Sequence, residues 1–375
     1  MAEEVWMLQT KKADFKQIGA RFRIDPVTAR IIRNRGIEGE AAIDRYLNGT
    51  LDDLYDPMLL KDMERAVSIL CEAVDTGKKI RIVGDYDIDG VCSTYILLQA
   101  FERLGSDVDF EIPDRIKDGY GINESIIEQA HADGVEVILT CDNGISAFHQ
   151  VELAKKYGMT VVITDHHEVP LDGEKEKIPP ADAVIDPKQA DCPYPFPEIC
   201  GAVVAYKLVQ VLYARRGVPQ MEWLDLLEFA AIATVGDVMK LQDENRILVK
   251  YGLKKMAQTK NLGLRRLAEK NNLDLGAITA YHIGFVIGPC LNAGGRLKTA
   301  KEALALLRAQ SEEEAERLAE ELKELNDTRK DMTEQGTEAA KLQVESWYQK
   351  DKVLVVFLPE CHESLAGIIA GRLRE

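Results

Sequence analysis

From about residue 60 to residue 190, short apolar runs alternate with amphipathic stretches of helical period, and this alternation constrains the fold more than any other feature. A helical stretch from Met63 to Val74 leads to the run Ile80–Val83. Helices over Cys92–Leu104, around Asn123–Ala132 and over Ser146–Tyr157 then separate runs at Val108–Ile112, Val135–Cys141 and Thr160–Thr164, and a last short run covers Ala183–Ile185. Strand, helix, strand in succession means βαβ units, because parallel neighbours need a long crossover rather than a tight turn. The expected class is α/β, a parallel sheet with helices on both faces. Ligands of such sheets bind beyond the carboxyl ends of the strands.

After residue 200 the pattern is helical: Ala202–Arg215, Trp223–Thr234, Asn245–Met256, Leu262–Glu269 and Thr299–Leu307. From Ser311 to about Tyr348, Glu interleaves with Lys and Arg at helical spacing, which predicts one long connector helix, exposed and bridging two domains. Lys352–Leu358 predicts a strand and Leu365–Arg374 a helix. One strand and one helix cannot close a core, so a second α/β domain is expected to start here and be cut short. The expected organisation is an N-terminal extension over 1–60, a main domain over 61–310, the connector over 311–350 and an incomplete domain over 351–375.

At 375 residues the chain is long for a single core. No apolar run approaches the ~20 residues that cross a bilayer, and the polar N-terminus has no secretory signal, so a cytoplasmic protein without a membrane partner is expected. Cys71, Cys92, Cys141, Cys192, Cys200, Cys290 and Cys361 are scattered and form no C-x-x-C pair, which reads as reduced thiols rather than disulfides or a zinc ribbon. A net charge of −16 argues against long-range steering of a polyanion, although a local groove can be basic. Arg21, Arg23, Arg30, Arg33 and Arg35 form a basic stretch of weak helical pattern, read as a solvated helix face in preference to a nucleic-acid arm.

Four segments rich in Asp or His fall where elements should end: Gly84-Asp85-Tyr86-Asp87-Ile88-Asp89-Gly90, Cys141-Asp142-Asn143-Gly144, Asp165-His166-His167 and Gly236-Asp237-Val238. Aspartates at alternate extended positions face opposite ways, so a turn must converge them, and two glycines supply one. Each segment alone is ordinary turn chemistry. Gathered at neighbouring strand ends, so many carboxylates cost several kcal/mol unless cations neutralise them. Carboxylates with an imidazole suit Mn²⁺ or Mg²⁺, and two such ions sharing a bridging carboxylate can drive in-line hydrolysis of a phosphate ester.

GDYDIDG, DNG, DHH and the GDV of TVGDVMKLQDENR, in that order, resemble the four metal-binding motifs of the DHH phosphoesterases. GDYD-x-DG, together with PDRIKDGYGIN and GPCLNAGGRL, is similar to the RecJ-type family of single-stranded-DNA exonucleases, and the resemblance covers about residues 60 to 375. It implies a metal-dependent 5′→3′ exonuclease used in DNA repair and recombination, with two divalent cations (Mn²⁺ or Mg²⁺) as cofactors. Single-stranded DNA would be its substrate, and a helicase and a single-strand-binding protein its partners.

Carried over by position, the resemblance makes Asp85, Asp87, Asp89, Asp142, His166 and Asp237 metal ligands, with Asp142 the bridge. It puts His167 beside the nucleophile or scissile phosphate, and Asp165 behind a histidine as the carboxylate that orients it. Asn292 and Arg296 would contact phosphate from a glycine-rich segment. Arg115, Tyr120 and Gly121 would lie near the substrate, and His362 at the start of a DHH-associated domain, ahead of a helix N-terminus that would bind phosphate. Two other readings stay open. One is a DHH phosphodiesterase acting on short oligonucleotides, cyclic dinucleotides, 3′-phosphoadenosine or pyrophosphate, which usually has a histidine where this chain has Asp85. The other is a non-catalytic scaffold, which would have no reason to keep all six ligands.

Overall fold

The computed structural model of the protein describes residues 5, 7, 11–348 and 351–374. Five strands, β1 (Ile80–Val83), β2 (Val108–Glu111), β3 (Val137–Cys141), β4 (Thr160–Thr164) and β7 (Ala183–Ile185), form one sheet in the order β2-β1-β3-β4-β7. Every pairing in it is parallel. A two-residue hairpin, β5 (Leu171–Asp172) with β6 (Lys175–Glu176), precedes β7 and had no sequence signal. The chain leaves β1 for one side of the sheet and returns to β3 on the other, so the crevice outside the carboxyl ends of β1 and β3 is a topological switch point.

Alternation along the strands sends side chains into two cores. Ile80, Ile82, Val137, Leu139 and Cys141 pack with α4 (Met63–Asp75), α5 (Ile88–Arg103) and α8 (Gly201–Arg215). Val83, Ile138, Val161 and Ile163 pack with α6 (Glu124–Ala132) and α7 (Phe148–Lys156). The larger core continues into a helical layer: α9 (Gln220–Leu224), α10 (Leu227–Gly236), α11 (Asp243–Met256), α12 (Leu262–Lys270), α13 (Ala280–His282), α14 (Gly288–Leu297) and α15 (Lys301–Arg308). α10 packs against α5, α8 and α11 and is buried from Leu227 to Thr234, which explains why its sequence is apolar all round.

One reading is refined and two need correction. The N-terminal region is firmly helical: α1 (Phe15–Phe22), α2 (Pro26–Asn34) and α3 (Glu40–Asn48) enclose a small core of Ile32, Ile37, Ile43 and Tyr46. The Asp14 and Asp25 side chains cap α1 and α2, a local signal that outweighs the short periodicity. The long helix α16 (Glu312–Gln343), about 48 Å from end to end, is not an exposed strut. It packs on α12, α14 and α15, buries Ala315, and adds Leu318, Ala319 and Leu322 to the main core, a stripe that the surrounding charges mask in the sequence. Lys352–Leu358 forms no strand, because no described neighbour offers it a ladder partner. α17 (Ala366–Arg374) forms close to expectation and packs through Ile369, beside the preceding Leu365, on Ala340 of α16. The boundary expected at residue 350 lies outside the described residues.

Candidate metal centre

Each acidic segment follows an element that aims it at the switch point. After β1 the chain turns at Gly84, where a Cβ would lie 2.0 Å from Thr94 Oγ1, and enters α5 with Asp87 as its cap. Asp87 Oδ1 accepts from the amides of Asp89 (2.9 Å) and Gly90 (3.1 Å). Asp89, in the first turn of α5, accepts from the amides of Gly201 (2.7 Å) and Ala202 (2.8 Å), which open α8. The positive end of a second helix thus faces this carboxylate.

Asp142 follows β3 in the left-handed region (φ 61°), which turns its carboxylate inward. Asp165 follows β4 and accepts from the amide of Ile145 (2.9 Å) and from His167 Nδ1 (2.7 Å). Asp237 caps the carboxyl end of α10.

Together these residues form linked donor groups. Asp89, His166 and Asp237 present ligand atoms within 4.8 Å of one another, and so do Asp85, Asp87 and Asp142. Asp142 also groups with His166 and His167, and its Oδ1 lies 3.1 Å from His166 Nε2. All six residues singled out as ligands are therefore brought to one crevice, with Asp142 common to both sides.

Burial and neighbouring carboxylates hold several of these groups away from ionisation. Burial, then Asp87, pushes Asp85 up to about 7; burial, then Asp89, does the same for Asp237. Asp142 is driven well above the usual carboxylate range, by burial first and Asp89 second. His166 is pushed down by burial. Two buried atoms in the cluster, Asp85 Oδ2 and His166 Nδ1, have no hydrogen-bond partner. Orphaned acceptors and mutually repelling carboxylates fit divalent cations, and oxygen donors with one imidazole fit Mn²⁺ or Mg²⁺.

His167 is placed differently. Burial would lower its pKa, but the Asp165 carboxylate outweighs this and holds it at about 9. Asp165 is raised by burial and lowered more by His167, so it stays below its ordinary value. Tyr120 donates to the Asp142 carbonyl (2.7 Å), and its oxygen lies 3.1 Å from His167 Nδ1 and 3.2 Å from Nε2. Gly121, at φ 68°, donates its amide to Asp85 Oδ1 (3.2 Å). Arg115 stacks over the Tyr86 ring at 4.7 Å.

The segment Gly288–Arg296, read as glycine-rich, is the helix α14 and not a loop. Its glycines serve close packing: a Cβ on Gly295 would lie 2.2 Å from the Tyr86 carbonyl oxygen. Asn292 and Arg296 line a pocket of about 100 Å³ together with Gly236, the neighbour of Asp237, and the Asn292 Oδ1 is buried without a partner. Arg296 donates to the Ser364 carbonyl (2.9 Å), and Ser364 Oγ lies 2.8 Å from His362 Nδ1, which ties His362 to the same edge.

Two residues of this site escaped the sequence reading. Asn143 donates to the carbonyls of Val83 (3.0 Å) and Cys141 (2.9 Å) and accepts from Ile122, so it clamps the ends of β1 and β3 together. It lies inside the DNG motif, where it passes for a turn residue. Arg329 of α16 completes the Asn292–Arg296 pocket, and nothing distinguishes it from the other charges of that helix.

A parallel α/β sheet converges Asp and His on a switch-point crevice as a candidate metal centre, and the model of the DHH family, N-terminal domain, matches residues 79–234. The single-stranded-DNA-specific exonuclease RecJ of Bacillus subtilis (strain 168) is 36% identical over 369 residues, covering 98% of this chain and 46% of that protein. RecJ of Escherichia coli (strain K12) is 35% identical, covering 94% and 62%. Among solved structures, exonuclease RecJ bound to manganese matches with a TM-score of 0.74 and 34% identity, over 84% of this chain and 77% of that one. RecJ in complex with Mn²⁺ from Thermus thermophilus matches with a TM-score of 0.79 and 31% identity, over 96% and 50%. The chain belongs to the RecJ family of DHH proteins. It spans 46 to 62% of the length of these two curated relatives.

Proposed function

We propose that this chain is the catalytic part of a metal-dependent exonuclease that hydrolyses single-stranded DNA from the 5′ end, in repair and recombination. The observation that carries the reading is Asp142, whose carboxylate belongs to donor groups on both sides of the crevice. Asp89, His166 and Asp237 would hold one divalent cation, Asp85 and Asp87 the other, and Asp142 both. Bound there, Mn²⁺ or Mg²⁺ would neutralise the cluster, acidify the attacking water and polarise the scissile phosphate.

The chain's own residues set the geometry around that chemistry. Asp165 fixes the His167 ring through Nδ1, and the Tyr120 hydroxyl, its proton committed to the Asp142 carbonyl, lies against both ring nitrogens. His167 is thereby positioned at the mouth of the crevice, where it can hold a proton and pass it to the departing oxygen. Arg296, Asn292 and Arg329 offer donors for a strand phosphate, and Arg115, Tyr120 and Gly121 line its path. His362 supports this edge through Ser364.

On this reading residues 61–310 form the catalytic body and 1–60 an extension. Residues 311–350 connect it to the beginning of a DHH-associated domain at 351–375. Its partners would be a helicase that opens duplexes and a single-strand-binding protein. The seven free thiols suit a cytoplasmic setting, and no described helix is long and apolar enough to cross a membrane.

The test offers 5′-labelled single-stranded DNA and a dinucleotide side by side with Mn²⁺, on 5′- and 3′-tailed forms. Release of labelled mononucleotide from the single strand is expected. Turnover of the dinucleotide alone would shift the assignment to a short-oligonucleotide phosphodiesterase, and binding of Mn²⁺ without turnover to a scaffold.

A further inference from the structure

The N-terminal helices carry a feature that phosphodiester hydrolysis does not use. α1 and α2 are joined by only three residues, Arg23-Ile24-Asp25. Arg23 is left-handed (φ 54°, ψ 42°), and Asp25 then caps α2 by accepting from the amides of Val27 (2.9 Å) and Thr28 (3.0 Å). Gly19 lies under the turn, where a Cβ would stand 2.7 Å from the Ile24 carbonyl oxygen, so no larger residue fits. Ile18, Phe22 and Ile24 pack with Ile32 in the small core that α3 closes. Two short helices, a three-residue turn with a left-handed residue, and a third supporting helix have the element order of a helix-turn-helix.

Such a pair can be mere packing, and three observations indicate a binding surface. Residues 11–48 hold nine Lys and Arg against five Asp and Glu, on a chain whose net charge is −16. Lys11, Lys12, Lys16 and Arg23 are exposed and make no ion pair among the described residues. The outer face of α2 presents Val27 and Ile31, 66% and 49% exposed, one turn apart, with Arg30 beside them. Exposed apolar groups on a second helix suit thymine methyls in a major groove, while cations on the first helix and the turn suit the phosphates.

The unit is also anchored near the metal centre. α3 packs on α11, Arg246 Nε donates to the Tyr46 carbonyl, and Gln242 Nε2 donates to the Arg35 carbonyl at 2.8 Å. Gln242 is five residues beyond Asp237, a chain distance of at most about 19 Å.

We propose that residues 11–48 are a duplex-binding helix-turn-helix that holds the double-stranded part of a tailed DNA beside the crevice that takes its single strand. The second half of this statement rests on the exonuclease reading, whereas duplex binding does not. The experiment measures fluorescence anisotropy of the full chain in EDTA with a blunt duplex of about 20 base pairs and with one of its strands alone, across a salt series.

The parent is expected to bind the blunt duplex with a steep salt dependence. The variant Lys12→Ala, Lys16→Ala, Arg23→Gly should bind the duplex about tenfold more weakly, with a log–log salt slope shallower by roughly 2 to 3. Arg23→Gly suits the left-handed turn, so the fold is kept. Ile31→Glu should lose duplex binding at an unchanged melting temperature. A parent that does not bind the blunt duplex, equal losses for duplex and single strand in the triple variant, or duplex binding retained by Ile31→Glu would each overturn the proposal. Nuclease turnover of a short single strand, measured separately with Mn²⁺, reports on the exonuclease reading alone.

Discussion

Gly201 stands against Asp142 so closely that a Cβ on the glycine would lie 2.7 Å from the Asp142 Cβ, while the Gly201 amide donates to Asp89 at 2.7 Å. One residue without a side chain therefore lets a helix N-terminus approach two proposed metal ligands at once. Gly201→Ala must displace either the helix or the Asp142 carboxylate. Calorimetric titration with Mn²⁺ should show an affinity lower by about 10- to 100-fold, the usual cost of disturbing a ligand's support. Unchanged affinity would mean that this contact does not set the ligand geometry.

His167 is held by Asp165 and Tyr120, whereas His166 lies buried between Asp89, Asp142 and Asp237. The two adjacent histidines should therefore separate on mutation. His167→Ala is expected to lower kcat by about 10²- to 10⁴-fold while bound manganese per chain stays at the parent value. His166→Ala should lose manganese. Equal metal loss in both variants would contradict the separate roles.

Far from the crevice, at the other end of α10, Glu228 is buried, accepts from Thr259 Oγ1 (2.7 Å) and has an unpaired Oε2. Burial pushes its carboxyl up to about 7, against weaker opposing effects of Thr259 and Lys255. A carboxyl whose folded pKa lies above its unfolded value takes up a proton on folding. Its contribution is complete below the unfolded pKa, near 4.5, and is lost as pH rises through about 7. Glu228→Gln removes that loss. Melting temperatures of parent and variant should agree near pH 4.5 and diverge in favour of the variant by pH 8, by the equivalent of about 2 to 3 kcal/mol. A difference independent of pH would refute the assignment.

The legible parts of this molecule were those written in local periodicity. Ile80–Val83 and Thr160–Thr164 are short, mostly apolar runs between helices, and both form strands with the expected limits. The ligand candidates were legible because they follow strand ends, where only a sheet can bring Asp85, Asp142 and His166 together. Features that depend on tertiary neighbours were not legible. Arg329 joins a phosphate-sized pocket only because α16 packs on α14, and Gly295 sits inside a helix, where the Tyr86 carbonyl rather than any turn explains it. Lys352–Leu358 has the composition of a strand, but a ladder needs a neighbour that sequence composition cannot supply.

On the proposed reading, Asp142 joins two cations in one crevice. Elemental analysis of manganese bound to the purified chain, beside Asp142→Asn, tests it most directly, since asparagine tolerates the left-handed backbone (φ 61°) but brings no charge to share. Two manganese ions per parent chain and no more than one in the variant are expected. A parent that binds fewer than two, or a variant that still binds both, would contradict the account.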